Sequence, residues 1–244
     1  MKIMIEFQNK ERKNMIDLKV LYEDNHIIVV EKPINIPSQG DKTGDEDMLS
    51  IIKKYLIEKY NKPGDAYLGL VHRLDRPTGG VMVFAKTSKA ASRLSEQVRE
   101  KEFEKEYICI VDGKLENKQG ILEDYLIKNE KNNLSKVTAE KNKNAKLAKL
   151  EYEVLKYNEE TDLSLIKVKL HTGRHHQIRV QFSSRNHSLY GDQKYGTRGR
   201  GKQLCLWAYK LSFKHPVTKE KLEFIDYPEI TGSWIILEDT NTNK

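Results

Sequence analysis

His72-Arg73-Leu74-Asp75-Arg76-Pro77-Thr78-Gly79-Gly80 is the stretch on which the reading of this chain turns. The apolar run from Tyr67 to Val71 leads into it, and a second run, Val81 to Ala85, leads out. Between them stand a carboxylate, two guanidiniums, an imidazole, a proline and two glycines, too polar and too bent to pack as core. A polar loop pinned between two buried strands is where a rigid scaffold presents chemistry. Asp75, flanked by Arg73 and Arg76, is either a surface ion-pair partner of little energetic weight or an ionised carboxylate serving as nucleophile or base. Composition leaves both open.

The chain has 244 residues, enough for a sizeable core in one large domain or two small ones. Hydrophobic residues make up 38% and charged residues 32%, which predicts a densely charged surface. Lys and Arg number 43 against 36 Asp and Glu, a formal net charge of +7 that favours a polyanionic partner. The only cysteines, Cys109 and Cys205, lack metal or redox spacing and predict a reducing compartment. The first ten residues are broken by charge too early for a signal peptide, and no apolar run approaches the roughly 20 residues of a membrane span. The expectation is a soluble, cytoplasmic protein.

Residues 1–16 read as a short polar lead-in. Val20 to Val30 reads as a hairpin turning at Asp24-Asn25, and the proline-containing Lys32 to Gly40 stretch ends its ladder. Leu49, Ile52, Leu56 and Tyr60 recur at helical spacing, with Asp47 as N-cap and Pro63-Gly64 as the stop. Ser88 caps a second helix carrying Ala91, Leu94 and Val98 on one face, and Tyr107 to Val111 is a buried strand. Further strands are predicted over 121–127, 136–139, 148–157 and 163–170, with the Lys141 to Lys149 run as a solvated turn or an RNA contact. Arg174 to Arg185 reads as a helix, and 204–208, 211–213 and 222–225 as closing strands. The sum is one α+β domain over residues 17–240, built on a large, mostly antiparallel sheet with helices on it and a central cleft.

Three other patterns fail. His72-Arg73-Leu74-Asp75 resembles the catalytic loop of a kinase, but Gly80 stands where the metal-binding Asn belongs. Gly196 to Gln203 follows the phosphate-loop pattern until Gln203 replaces the hydroxyl that holds magnesium; it reads better as a basic loop touching a nucleic-acid backbone, or as plain surface. Thr172-Gly173 breaks the helix that would align His171 with His175, so no metal is expected. Arg174, His175, Gln177 and Arg179 form a donor cluster suited to a carboxylate or phosphate. Tyr107 is a packing residue or, beside Asp75, a face for an unstacked base.

Taken together these segments resemble the RluA-type RNA pseudouridine synthases, over about Val20 to Ile225. The opening motif is similar to that family's His-Arg-Leu-Asp-x-x-Thr-Ser-Gly. Glu31-Lys32-Pro33 with Pro37, Lys105-Glu106-Tyr107, Thr172-Gly173-Arg174-His175-His176-Gln177-Ile178-Arg179, Gly191-Asp192, Tyr195-Gly196 and His215-Pro216 continue the resemblance in order. It implies isomerisation of uridine to pseudouridine in structured ribosomal or transfer RNA with no cofactor; no obligatory protein partner is evident in the sequence, and a monomer is expected. Asp75 would be the catalytic carboxylate, Arg179 the ion-pair partner that keeps it ionised, and Tyr107 the stacking residue that can also serve in removing the C5 proton. A flipped-out base is implied. Arg73, His72, Lys86, Arg174, Gln177 and the loop residues Arg198, Arg200 and Lys202 are the expected RNA contacts. The match leaves no room for the separate N-terminal RNA-binding domain of some relatives. Gly79 stands where the family has Ser, Gln181 where His often occurs, and Trp207 in place of the His of a Leu-His-Ala.

Overall fold

The computed structural model describes residues 18–196 and 201–238. The expected lead-in at 1–16, and Arg198 and Arg200, lie outside them.

The order of elements is β1 (Val20–Glu23), β2 (Ile27–Lys32), α1 (Met48–Tyr60), β3 (Gly69–Leu70), β4 (Gly79–Ala85), α2 (Ser88–Arg99), β5 (Glu104–Asp112), β6 (Gln119–Asn129), β7 (Leu134–Thr138), β8 (Lys146–Asn158), β9 (Leu163–Leu170), α3 (Gln177–Ser183), β10 (Leu206–Lys214), β11 (Lys221–Ile225) and a 3-10 turn, Gly232–Leu237. All described strands join one sheet in the order β1-β2-β4-β10-β5-β9-β8-β6-β7, with β11 on β10 and β3 on β4. Every pairing is antiparallel except β4 with β10, which meet in parallel at Gly79–Trp207 and Gly80–Ala208. The expected α+β architecture holds.

Strand alternation decides which helix covers which face. Ile28, Val30, Met82 and Phe84 face α1, which buries Met48, Ile51, Ile52 and Leu56 against them. Burial of this kind is worth about 1.5–3 kcal/mol per side chain. Ile27, Val29, Val81 and Val83 point the other way, onto Ala90 and Leu94 of α2. Both central strands are buried on two sides, which explains their unbroken apolar sequence. Tyr107 and Cys109 share the α1 face with Ile178 and Phe182 of α3, whereas Ile108 and Ile110 face the 3-10 turn.

Element ends differ from expectation in instructive ways. Asp47 caps α1 through Leu49 N (2.9 Å) and Ser50 N (3.3 Å), as its position predicted. The helix stops earlier than Pro63-Gly64, because Asn61 takes a left-handed φ of 46° and its N–H closes on the last turn. Thr87, not Ser88, caps α2. The closing strands 204–208 and 211–213 are one strand, β10, whose register against β5 shifts between Trp207 and Lys210 and interrupts its alternation. The incoming limb of the key loop is only the two-residue β3. α3 begins at Gln177, since His176 adopts φ 54°.

Candidate active site

The loop between β3 and β4 is fixed through its backbone. Ser38 Oγ donates to Leu74 O (2.8 Å) and accepts from Leu74 N (3.1 Å). The Lys32 ammonium, fully buried, donates to Pro33 O, Ile36 O and Arg76 O at 2.9, 2.6 and 3.1 Å. Gln203 Nε2 donates to Pro77 O (3.0 Å), and Thr78 N closes a turn on Asp75 O (3.0 Å). Arg76 turns outward to Asp45 (2.6 Å) and Asp41 (3.1 Å). Burial pushes the Lys32 amine down to about 7, Asp75 raising it and Arg76 lowering it further.

This clamp sets Asp75 in a cleft of about 1550 Å³ lined also by Tyr107, His176 and Arg179. Arg179 Nη1 and the neutral His176 Nε2 both stand 3.7 Å from its Oδ2, beyond hydrogen-bond length. The Asp75 side chain keeps 32% exposure, yet protein walls surround it, and this loss of solvent raises its pKa while Arg179, Lys194 and Lys32 pull it down. Burial therefore outweighs the arginine, where the sequence pointed to the ion pair as the dominant influence. Burial, then the charge of Asp75, pushes the Tyr107 phenol well up, so it stays neutral.

Arg179 makes its short bonds elsewhere. Its Nε and Nη2 donate to both oxygens of Asp192 at 2.7 Å, a bidentate pair buried under the cleft. Asp192 Oδ1 also accepts from the backbone N–H of Lys194 (2.8 Å) and Tyr195 (3.1 Å). One carboxylate thus aims the arginine and shapes the segment that carries Lys194 and Tyr195 past Asp75.

The histidines go to separate tasks. His171 bonds Glu151 (2.8 Å), while the His175 and His176 rings lie with centroids 3.7 Å apart, tilted by 31°. Burial, with the nearby cations Arg179, Lys194 and Lys128, pushes His176 down to about 2 and His175 to about 4. Among the described residues no group of three or more His, Cys, Asp or Glu is arranged to hold a metal ion.

Of the expected RNA contacts, His72, Arg73, Arg174, Gln177 and Lys202 line the cleft, and Arg73, Arg174 and Lys202 are exposed. Lys86 is corrected, and the polar atoms of His72 and Gln177 are engaged by the scaffold. Lys86 lies at the far end of β4, 9% exposed, bonded to Glu23 Oε1 and Asp24 O at 2.6 Å. His72 accepts the N–H of Val83 on Nε2 (3.1 Å) and is neutral, held well below its usual pKa by burial and by Lys105. Gln177 is buried; its Oε1 accepts from Thr172 Oγ1 (2.7 Å) and Arg174 N (3.0 Å), and its Nε2 donates to Lys149 O (3.1 Å). Each contributes to the scaffold, and polarity alone did not distinguish that from ligand contact. The residues missed from sequence are Ser38, Lys32, Gln203, Lys194, Tyr195 and Asp192. Lys32, Asp192 and Tyr195 stood inside the segments of resemblance but carried no role there.

Comparison with known proteins gives a consistent answer. Residues 26–184 match the sequence model described as RNA pseudouridylate synthase. An uncharacterized RNA pseudouridine synthase from Aquifex aeolicus is 35% identical, over 88% of this chain and 71% of that protein. A ribosomal large subunit pseudouridine synthase C from Buchnera aphidicola is 33% identical, over 88% and 68%. A tRNA pseudouridine synthase C from Haemophilus influenzae is 29% identical, over 84% and 90%. The solved structure of human RNA pseudouridylate synthase domain containing 4 shares the fold, with a TM-score of 0.74 at 22% identity, over 94% of this chain and 95% of that one. Among the described residues no helix is long and apolar enough to cross a membrane.

Proposed function

Because the chain belongs to the RNA pseudouridylate synthase family and is an RNA pseudouridine synthase, we propose that Asp75 is its catalytic carboxylate, acting on a uridine flipped out of ribosomal or transfer RNA. One observation carries the reading. Asp75 sits on a backbone-clamped loop in the cleft, with Tyr107 in the same cleft and the Arg179 guanidinium and His176 imidazole standing off at 3.7 Å. A carboxylate kept clear of tight ion pairs retains its basicity and nucleophilicity, and a surface ion-pair partner has no need of such a setting.

Each remaining group has a task in that chemistry. The isomerisation breaks the glycosidic C–N bond, turns the uracil and joins C5 to the ribose carbon; C5 then loses its proton and N1 gains one. Tyr107 offers its ring to the unstacked uracil, and its neutral hydroxyl can take part in moving the C5 proton. Arg179, locked by Asp192, supplies positive charge beside Asp75 without closing on it. Arg73, Arg174, Lys194 and Lys202 give the cleft a basic rim that holds phosphates and positions the strand without reading sequence. A uridine within a helix lies too deep for Asp75, so it must leave the stack. Residues 17–240 form the catalytic unit in this reading, working as a monomer.

Pseudouridines mapped across ribosomal and transfer RNA from cells with and without the gene identify the target. The missing site returns on complementation with the parent protein and stays absent with Asp75→Asn. A variant that restored the site would overturn the assignment of Asp75.

A further inference from the structure

His176 is held in a way its place in the chain does not require. It stands at the head of α3 with φ 54°, a left-handed conformation costly for a residue with a Cβ, and its side chain makes no cap. Its ring is instead fixed on several sides. The tilted His175 ring lies against it; Tyr195 meets it edge-on with centroids 5.4 Å apart; and Tyr195 Oη lies 2.7 Å from its Nδ1. Tyr195 is fixed in turn, since its oxygen accepts the backbone N–H of Ser135 at 2.8 Å. Ser135 Oγ, 2.9 Å from His175 Nδ1, ties the neighbouring ring to the same strand.

We infer that Tyr195 sets the tautomer of His176 so that its Nε2–H points at Oδ2 of Asp75, making His176 a positioning residue for the catalytic carboxylate and leaving Oδ1 to react. The inference rests on the assignment of Asp75 above. Proton accounting supports it. One hydrogen lies between Tyr195 Oη and His176 Nδ1. If Nδ1 carried it, the phenol proton would lack this acceptor and the Nε2 lone pair would face a carboxylate oxygen. If the phenol donates, every hydrogen has a use: Ser135 N–H to Oη, Oη–H to Nδ1, and Nε2–H toward Asp75.

Geometry explains the choice of a neutral donor. Oδ2 is approached at 3.7 Å by both His176 Nε2 and Arg179 Nη1, from adjacent turns of one segment. Asp75 already feels Arg179 from α3, Lys194 from the following loop and Lys32 from β2, with the neutral Tyr107 on β5. Another cation would quench its reactivity; a neutral imidazole aims it without adding charge. The 3.7 Å separation is longer than a hydrogen bond and is expected to shorten when substrate fills the cleft, as catalytic contacts often do.

The test reads the tautomer and the kinetics separately. Nitrogen-15 shifts of His176 in the intact parent protein should show Nε2 protonated and Nδ1 bare, and Tyr195→Phe should turn this into a mixture. A protonated Nδ1 in the parent overturns the inference and leaves the role of Asp75 untouched. On the target RNA, Tyr195→Phe should lower kcat about tenfold with KM within about twofold, and His176→Leu about a hundredfold. His176→Gln, which keeps a neutral N–H, should recover part of that loss. The acidic limb of kcat should move to higher pH in His176→Leu as Asp75 loses a donor. Parental kcat and an unmoved limb in His176→Leu overturn the inference. Should Asp75→Asn remain active, the functional reading falls instead, and the tautomer measurement still stands. The parent tautomer decides the case even where a variant fails to fold.

Discussion

Gly79 and Trp207 occupy one another's space. A Cβ built on Gly79 would lie 2.1 Å from Cζ3 and 2.6 Å from Cε3 of the indole. They are direct partners in the one parallel pairing among the described strands, where β4 leaves the Asp75 loop. The indole cannot retreat freely, being buried with its Nε1–H donated to Asp226 O at 3.0 Å. A side chain at residue 79 and an indole at residue 207 therefore exclude one another. Gly79→Ser should cost about 1–3 kcal/mol through overpacking, and Trp207→His about 2–4 kcal/mol through the void it leaves. In urea titrations the double variant should fall short of the summed losses by at least about 1 kcal/mol. Strict additivity would show that the two positions do not compensate.

Arg179 and Asp192 supply the next prediction. Asp192→Asn takes away the charge that holds the guanidinium, along with an acceptor that also orders the Lys194 and Tyr195 backbone. A displacement of about 1 Å beside a reacting group costs on the order of a hundredfold, so kcat should fall by about that factor with a smaller change in KM. Arg179→Lys should not retain activity, because an ammonium cannot span both oxygens of Asp192. Unchanged kcat in Asp192→Asn would remove Asp192 from the account of the site.

The regular parts of this molecule were legible in the sequence because they rest on local physics. Asp47 capping α1 follows from short-range pattern, as do the unbroken apolar runs of β2 and β4 and the turns around the long strands. Asp75, Tyr107 and Arg179 were legible as a set only through resemblance, since 104 residues separate the first from the last, and only the fold brings them to one cleft. What stayed hidden was the direction in which polar side chains turn. Lys86 and Arg73 are both basic and both near the key loop in sequence, yet one is paired under the surface and the other is open to the cleft. Asp192 shows the same limit: a carboxylate directly after Gly191 in a turn gives no local sign that its partner is thirteen positions upstream.

Asp75 should carry a stability cost along with its activity. Burial raises its pKa, so the native state binds the proton more tightly than the unfolded chain does. The contribution of this group is fully present below its unfolded value, about 3.9, and is lost as pH rises through the raised folded value. Asp75→Asn should thus melt no lower than the parent at neutral pH, and the two curves should converge in acid. The acidic limb of parent kcat/KM should likewise lie above the ordinary carboxylate range. A limb at or below that range would mean that Arg179, and not burial, governs the carboxylate.

The lysine-rich run at 141–149 acquires a setting it lacked as sequence. The turn between β7 and β8 and the segment Gly173 to His175 line a second, open cavity of about 490 Å³, whose lining includes Lys128, Lys143, Lys146 and Arg174. Lys128, Gly173, Arg174 and His175 line the main cleft as well, so the two spaces adjoin. The lining carboxylate Glu130 is already paired with Lys128 at 2.5 Å. An RNA strand leaving the cleft past Arg174 would meet Lys143 and Lys146 next. Each phosphate contact contributes about 0.7–0.9 to the slope of log affinity against log salt, so Lys143→Ala/Lys146→Ala should flatten that slope by about 1.5. KM for a full-length RNA should rise severalfold while kcat stays within about twofold, and an oligonucleotide too short to reach the cavity should not register the change. Equal slopes for parent and variant would return the run to a solvated turn.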